Sequence, residues 1–333
     1  MKKEESMICL GIESTAHTFG VGIVNSEGNI LSNVSSTYRP ATGGIHPFEA
    51  SEHHYKVALT TIRKALCEAS LRLRDINLVG FSAGPGLPPC LSVGAVVART
   101  LSIKCNAPLS LVNHCIAHIE IGRLTTKLHD PLTVFVSGVN TQLIVHDGRG
   151  YVVIGETQDI GLGNAQDKLG REIGLPFPVG PHLDKVSGKW IDLPYTVKGM
   201  DLAFSGILTE AIKKLKRGFK WEDVAYSFQE VTFSMLVEVA ERALAHTSKD
   251  CLLLTGGVAA SPRLQEKFRI MCEDRGAVFK VVPKDLARDN GAMIAWTAIL
   301  SYMLQGGDNL EFKVRPKWRI DSLEWPLQEV GGG

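Results

Sequence analysis

A chain of 333 residues, 44% hydrophobic and 21% charged, has enough apolar material for about two globular domains. A net charge of +1 excludes a global basic field, so any polyanionic partner needs a local patch or help from other chains. Seven cysteines without a CxxC pair exclude a cysteine zinc site and a disulfide framework, and point to a reducing, cytoplasmic setting. Met1–Ser6 does not read as a signal peptide, and the uncharged run 292–304 is too short to span a bilayer, so no membrane association is expected.

In chain order, Met7–Ile12 is an apolar strand that breaks at Glu13–Thr18; Gly20–Val24 and Ile30–Thr37 follow as strands around a turn at Asn25–Gly28. Pro47–Ser70 is mostly helical, with His53 and His54 in it and His46 just before, all read as packed or surface histidines. Leu78–Ser82 is a strand ending in Ala83-Gly84-Pro85-Gly86, ahead of a helix from about Leu91 to Ile103. The first plan then recurs. Strand Leu132–Val136 breaks at Ser137–Thr141, and Leu143–Val145 and Tyr151–Gly155 form the return. Backbone N–H groups in such a turn of small residues suit phosphate oxygens. The second plan recurs as strand Cys251–Thr255, the Gly256–Ala260 turn, and a helix with Ser261 as N-cap and Pro262 at its first position. Between them, a glycine-bearing turn leads into a helix around Asp167, Pro176–Pro181 is an irregular loop, and Trp221–His246 is helix with Phe228, Phe233, Met235 and Leu236 as core. Two plans used twice in the same order predict an α/β protein of two similar lobes around a nucleotide cleft.

The stretch Val112–Glu120 carries His114 and His118 four residues apart, hence on one face of a helix. Two such imidazoles can clamp a divalent metal or simply pack. No Glu follows the first His, so the motif lacks the general base of a zinc protease. In Arg288–Met293, Asp289 or Asn290 caps the long helix that follows; beside a metal-binding His pair, Asp289 is the natural third ligand. Glu13 and His17, in the first turn, are weak acid or base candidates; a strand-end Glu bonded to its own turn is an equal reading, and the catalytic residues stay unassigned.

The segments GIESTAHTFGVGIV (11–24), NHCIAHIEIG (113–122), VSGVNTQ (136–142), DIGLGNAQD (159–167), LPYTVKGMDLAFSGILT (193–209), TGGVAAS (255–261), DNGAMIAW (289–296) and RPKWR (315–319) together resemble the TsaD family, in its archaeal and eukaryotic branch within the KEOPS complex. The resemblance implies the actin-like ATPase fold shared with sugar kinases and heat-shock chaperones. It implies lobe I over 1–130 plus about 297–330, and lobe II over 131–296. It also implies transfer of threonylcarbamoyl from threonylcarbamoyl-adenylate to the adenosine beside the anticodon, position 37, in tRNAs reading codons that begin with A. On this reading His114, His118 and Asp289 hold one metal, Fe2+ first and Zn2+ second, that would tie the two lobes together. Phe135, Val136, Ser137, Gly138 and Val139 lie along the phosphate, Asp167, Gly180 and Asp184 meet the ribose, and Ser261 touches the nucleotide; ATP or an analogue can occupy the same cleft. The partners implied are tRNA, an atypical Bud-type kinase subunit, a small dimerising KEOPS subunit and a further small subunit. Phe135 stands where the family usually has a metal-ligating Tyr, Val139 and Val179 where it has Gly, and Ser261 where Asn is common. These departures keep an alternative open: a catalytically weakened nucleotide-binding scaffold subunit. Lys213, Lys214, Lys216, Arg217 and Lys220 form one basic run, and Lys313, Arg315, Lys317 and Arg319 another; each reads as a solvated face or a tRNA contact.

Overall fold

In the computed structural model, which describes residues 6–40 and 44–328, the expected strands form with small shifts at their ends. The lead-in Met1–Glu5 lies outside the described residues. The chain opens with β1 (Ile8–Glu13), β2 (Thr18–Asn25) and β3 (Ile30–Thr37), then α1 (Pro47–Glu68), β4 (Leu78–Gly84), α2 (Pro88–Cys105), β5 (Leu109–Asn113) and α3 (His114–Thr126). It continues through β6 (Leu132–Val136), β7 (Thr141–His146), β8 (Tyr151–Glu156), α4 (Leu162–Glu172) and the single turn α5 (Gly180–Leu183). After the small pair β9 (Val197–Lys198) and β10 (Asp201–Leu202) come α6 (Ser205–Lys216), α7 (Trp221–Thr247), β11 (Cys251–Thr255), α8 (Pro262–Arg275), β12 (Val278–Val281), α9 (Lys284–Ala287) and α10 (Gly291–Gln305).

The chain divides into two units: Met1–Lys127 with Arg288–Leu323 and Gln328–Gly333, and Leu128–Ala287 with Glu324–Leu327. In the first, the sheet runs β3-β2-β1-β4-β5, antiparallel across the hairpins and parallel from β1 through β4 to β5. In the second it runs β12-β11-β6-β7-β8 with the same directions: β6, β7 and β8 antiparallel, β6, β11 and β12 parallel. The repeat read from the sequence is therefore a repeat of sheet topology. The second unit's core gathers Leu132, Val134 and Val136 of β6 with Phe228, Met235 and Leu236 of α7 and Phe268 of α8. Full burial of each such side chain is worth roughly 1.5–3 kcal/mol. The aromatic and methionine stripe of α7 is packing.

One strand went unread in the sequence and one boundary needs correction. Val112 and Asn113 belong to β5 and its junction, so α3 starts only at His114; β5 is wholly buried and lacks polar alternation, which hid it in the apolar run. The boundary that placed 288–296 in the second lobe is also wrong, because α10 packs on β1 and β2 of the first unit. Glycines explain how closely: a Cβ on Gly11 would fall 2.2 Å from Ala295 N, and one on Gly22 2.1 Å from Ala292 N. Helix backbone rests on strand backbone, and only glycine permits that approach.

Candidate functional site

Asn113 ends β5 and caps α3, its Oδ1 accepting from the N–H groups of Cys115 (2.9 Å) and Ile116 (3.3 Å). The cap puts His114 in the first turn and His118 one turn on, with ring centroids 4.7 Å apart and planes at 84°. Asn290, not Asp289, caps α10: its Oδ1 accepts from Met293 N at 3.0 Å. The Asp289 carboxylate, relieved of capping, turns to the histidines, with Oδ1 3.5 Å from His114 Nε2 and 3.4 Å from His118 Nε2. All three residues belong to the first unit, so the expectation of a metal tying two lobes together does not hold for this ligand set.

Behind His114 stands Glu13, fully buried at the end of β1, with Oε2 2.9 Å from His114 Nδ1. Its other oxygen accepts from Thr15 N (2.7 Å) and the Thr15 hydroxyl. With Nδ1 facing a carboxylate, Nε2, on the Asp289 side, is the ring nitrogen left for a metal, which would displace its proton. Burial pulls the His114 imidazole down, but the Glu13 carboxylate and then Asp289 outweigh it and hold it up at about 9. Burial keeps His118 below its ordinary value despite Asp289, and the two histidines hold the Asp289 carboxyl well below the usual range against its own burial. Glu13, read as an acid or base candidate, has its oxygens turned to Thr15 and His114 and acts as an orienting group; Thr15 escaped the sequence reading.

The donor set fits a small divalent ion. One ligand atom from each of His114, His118 and Asp289 lies within 4.8 Å of the others. Ligands about 2.1 Å from a tetrahedral metal are about 3.4 Å apart, which matches both nitrogen-to-Asp289 separations. Two imidazoles and a carboxylate suit iron or zinc alike.

The second unit offers a different surface. Ser137–Asn140 closes a turn in which Ser137 N donates to Asn140 O (2.7 Å) and Asn140 N to Ser137 Oγ (2.9 Å). The turn lies on the start of α4, where Gly163 N donates to Ser137 O and Asn164 N to Gly138 O. The N–H groups of Gly138 and Val139 donate to no acceptor among the described residues, which leaves two donors for an anion. Phe135 and Val136, expected along the phosphate, are buried strand residues of β6 with 1% and 0% exposure, so the accessible loop narrows to Ser137–Val139. Val139 is 71% exposed and points its branched side chain outward, while Val179 packs inward against Gly170.

Asp167 on α4 accepts from Val179 N at 3.0 Å and so fixes the approach to Gly180, where a Cβ would meet only Gln166 Oε1, at 3.6 Å. Asp184 accepts from Ser261 Oγ and from Gln229 Nε2 (2.9 Å), and Ser261 caps α8 through Leu264 N. Asp184 and Ser261 are therefore one cluster. Gln229, fully buried on α7 and receiving Arg263 at 2.8 Å, belongs to it and was missed because α7 reads only as core.

A family profile described as tRNA N6-adenosine threonylcarbamoyltransferase, TsaD, matches residues 29–296. A protein of that name from Thermococcus kodakarensis is 52% identical over 325 residues, covering 96% of this chain and 99% of the relative. One from Thermofilum pendens is 51% identical over 324 residues, covering 95% and 96%. A probable bifunctional tRNA threonylcarbamoyladenosine biosynthesis protein of Methanocaldococcus jannaschii is 48% identical over 98% of this chain and 62% of its own length. Among solved structures, T. kodakarensis HypF superposes with a TM-score of 0.65 at 13% identity, over 91% of this chain and 48% of that one. Component A of the Acidaminococcus fermentans (R)-2-hydroxyglutaryl-CoA dehydratase gives 0.53 at 15% identity, over 88% and 98%. These two likenesses speak to the fold alone. With the profile spanning 29–296 and half the residues shared with relatives along nearly its full length, the chain belongs to the TsaD family of tRNA N6-adenosine threonylcarbamoyltransferases.

Proposed function

We propose that this transferase takes threonylcarbamoyl from threonylcarbamoyl-adenylate and places it on the adenosine beside the anticodon, position 37, of tRNAs reading codons that begin with A, as the catalytic subunit of a cytoplasmic KEOPS assembly. The observation that carries the metal part of this reading is the convergence of His114, His118 and Asp289, backed by the buried Glu13. These three residues hold one Fe2+, or Zn2+ in its place. When bound, the ion supplies Lewis-acid polarisation of a donor oxygen. Glu13 keeps the His114 ring in the orientation that presents Nε2.

The remaining residues bind and position. The free N–H groups of Gly138 and Val139, with Ser137, take the adenylate phosphate; Asp167, Gly180 and Asp184 take the ribose, and Ser261 reaches the nucleotide through the same cluster. In the reaction a new bond forms between the adenosine exocyclic nitrogen and the carbamoyl carbon, the bond from that carbon to the phosphate oxygen breaks, and AMP leaves together with one proton from the nitrogen. Holding two large substrates in register accounts for much of the acceleration. A Bud-type kinase, a small dimerising subunit and a further small subunit complete the assembly; among the described residues no helix is long and apolar enough to cross a membrane.

The test supplies the chain with its partner subunits, synthetic threonylcarbamoyl-adenylate, Fe2+ under anaerobic conditions and an unmodified tRNA, followed by mass spectrometry of the nucleosides. Modified adenosine is expected at position 37. A complete, metal-loaded assembly that yields none would overturn the reading.

A further inference from the structure

After α10 the chain returns across the first unit as an irregular strap, residues 307–319. Its burial alternates: Phe312, Val314 and Trp318 pack against the core of that unit, while Lys313, Arg315, Lys317 and Arg319 all face solvent. The alternation exposes four cations within one short segment. The strap is also firmly seated. Arg99 of α2 donates to the carbonyls of Leu310 (2.8 Å) and Phe312 (2.5 Å) and lies over the Phe312 ring. Arg315 N donates to Ala83 O at 2.7 Å, Gly86 N to Pro316 O at 3.1 Å, and a Cβ on Gly84 would fall 1.9 Å from Arg315 O.

Where the strap turns, an open groove of about 840 Å³ forms, lined by Pro88, Pro316 and Trp318, by Arg315, Lys317 and Arg319, and by Asp321 and Ser322. The floor is largely apolar, with the Arg315 guanidinium 4.4 Å from the centre of the Trp318 ring. Arg319 is neutralised by Asp321 at 2.8 Å, but no carboxylate pairs with Arg315 or Lys317 among the described residues. An apolar aromatic floor edged by unpaired cations is how proteins take a single strand of nucleic acid, stacking bases and holding phosphates. An acidic peptide would use the cations but not the flat ring and prolines. A double helix would use the cations but could not turn a base onto the floor.

We propose that this groove binds an unpaired segment of the tRNA substrate, with Arg315 and Lys317 on phosphates and a base against the apolar floor that Pro88, Pro316 and Trp318 provide. The inference rests on the assignment of a tRNA-modifying reaction and adds where the first unit grips that substrate.

The test uses the full chain at about 50 mM salt, with a fluorescent unpaired RNA of about ten nucleotides and a duplex of equal length as probes. The double variant Arg315→Glu/Lys317→Glu should bind the single strand at least ~10-fold more weakly, while Lys64→Glu, the same kind of charge reversal on α1, should bind as the parent does. Should the reversal fail to fold, Arg315→Gln/Lys317→Gln keeps the side-chain length, and the slope of log affinity against log salt should fall by about 1.4, or ~0.7 per phosphate contact. Unchanged affinity and slope, equal loss in Lys64→Glu, or duplex binding as tight as single-strand binding would each overturn the groove. Groove variants that lose RNA in a chain whose full assembly transfers no threonylcarbamoyl leave the groove standing and the reaction refuted. Transfer with unaltered RNA binding in the variants does the reverse.

Discussion

The two units share a sheet topology and set opposite kinds of group at its matching turn. In the first, the strand-end turn after β1 points a carboxylate inward: Glu13 is buried, and its partner His114 joins His118 and Asp289 in a cluster of side-chain donors. In the second, the matching turn after β6 presents backbone, with no acceptor for the N–H groups of Gly138 and Val139 among the described residues and the Val139 side chain in solvent. A cluster built of few buried side chains concentrates its binding energy, whereas a backbone cradle spreads it. Substitutions in the first unit should therefore cost much more than substitutions in the second.

The largest effect is expected from His118→Ala, which removes a ligand while sparing the Glu13–His114 pair. Metal content measured by elemental analysis should drop from about one per chain to near none, a loss beyond the ~100-fold seen when an orienting group alone is lost. Glu13→Gln tests that orienting group and should weaken metal binding by ~10–100-fold. Metal content that survives in His118→Ala would dissolve the contrast between the units.

Next in size is a pH effect confined to the first unit. His54 is fully buried against Phe19, and burial, reinforced by His53, pushes its imidazole down to about 4 although Glu13 pulls the other way. The unfolded chain takes up this proton near pH 6.5 and the folded one only near 4, so stability falls as pH drops through that window and is level above it. The full span is about 3 kcal/mol. Urea midpoints measured between pH 4 and 7 should show the slope, and His54→Leu should flatten it; an unaltered slope would reassign it to other groups.

The smallest effect belongs to the second unit. Asp184→Asn retains an acceptor for Ser261 and Gln229 and removes one charge from the cluster. Nucleotide affinity by calorimetry should fall about 10-fold, or ~1.4 kcal/mol, with metal content unmoved. A loss as large as that of His118→Ala would show that this cradle, too, is concentrated in a few side chains.

Much of this was legible because it is local. β3, β6 and β11 have the bounds that their apolar runs suggest, Ser261 caps α8 as its place before Pro262 implies, and the four-residue spacing of the histidines puts them on one helix face. What escaped depends on residues far apart in the chain. The placement of α10, and with it of Asp289, follows from glycines in β1 and β2 that meet Gly291 and Ala295 across most of the sequence. Either Asp289 or Asn290 could cap α10, and only the fold decides that Asn290 does. Thr15 and Gln229 are ordinary in sequence; their roles come from the carboxylates they face.

The backbone-to-backbone seat of α10 has a consequence for how this protein tolerates change. Most helices rest on sheets through side chains, which act as adjustable shims: swap one hydrophobe for another and the helix settles by a fraction of an ångström. At Gly11, Gly22 and Gly291 there is no shim to adjust. Even a methyl group at these positions would have to lift the whole start of α10, and Asp289 with it, away from the histidines. The carboxylate thus rides on a rigid bracket. Its distance from the imidazoles is set where peptide planes meet, with no side chain between to take up a change.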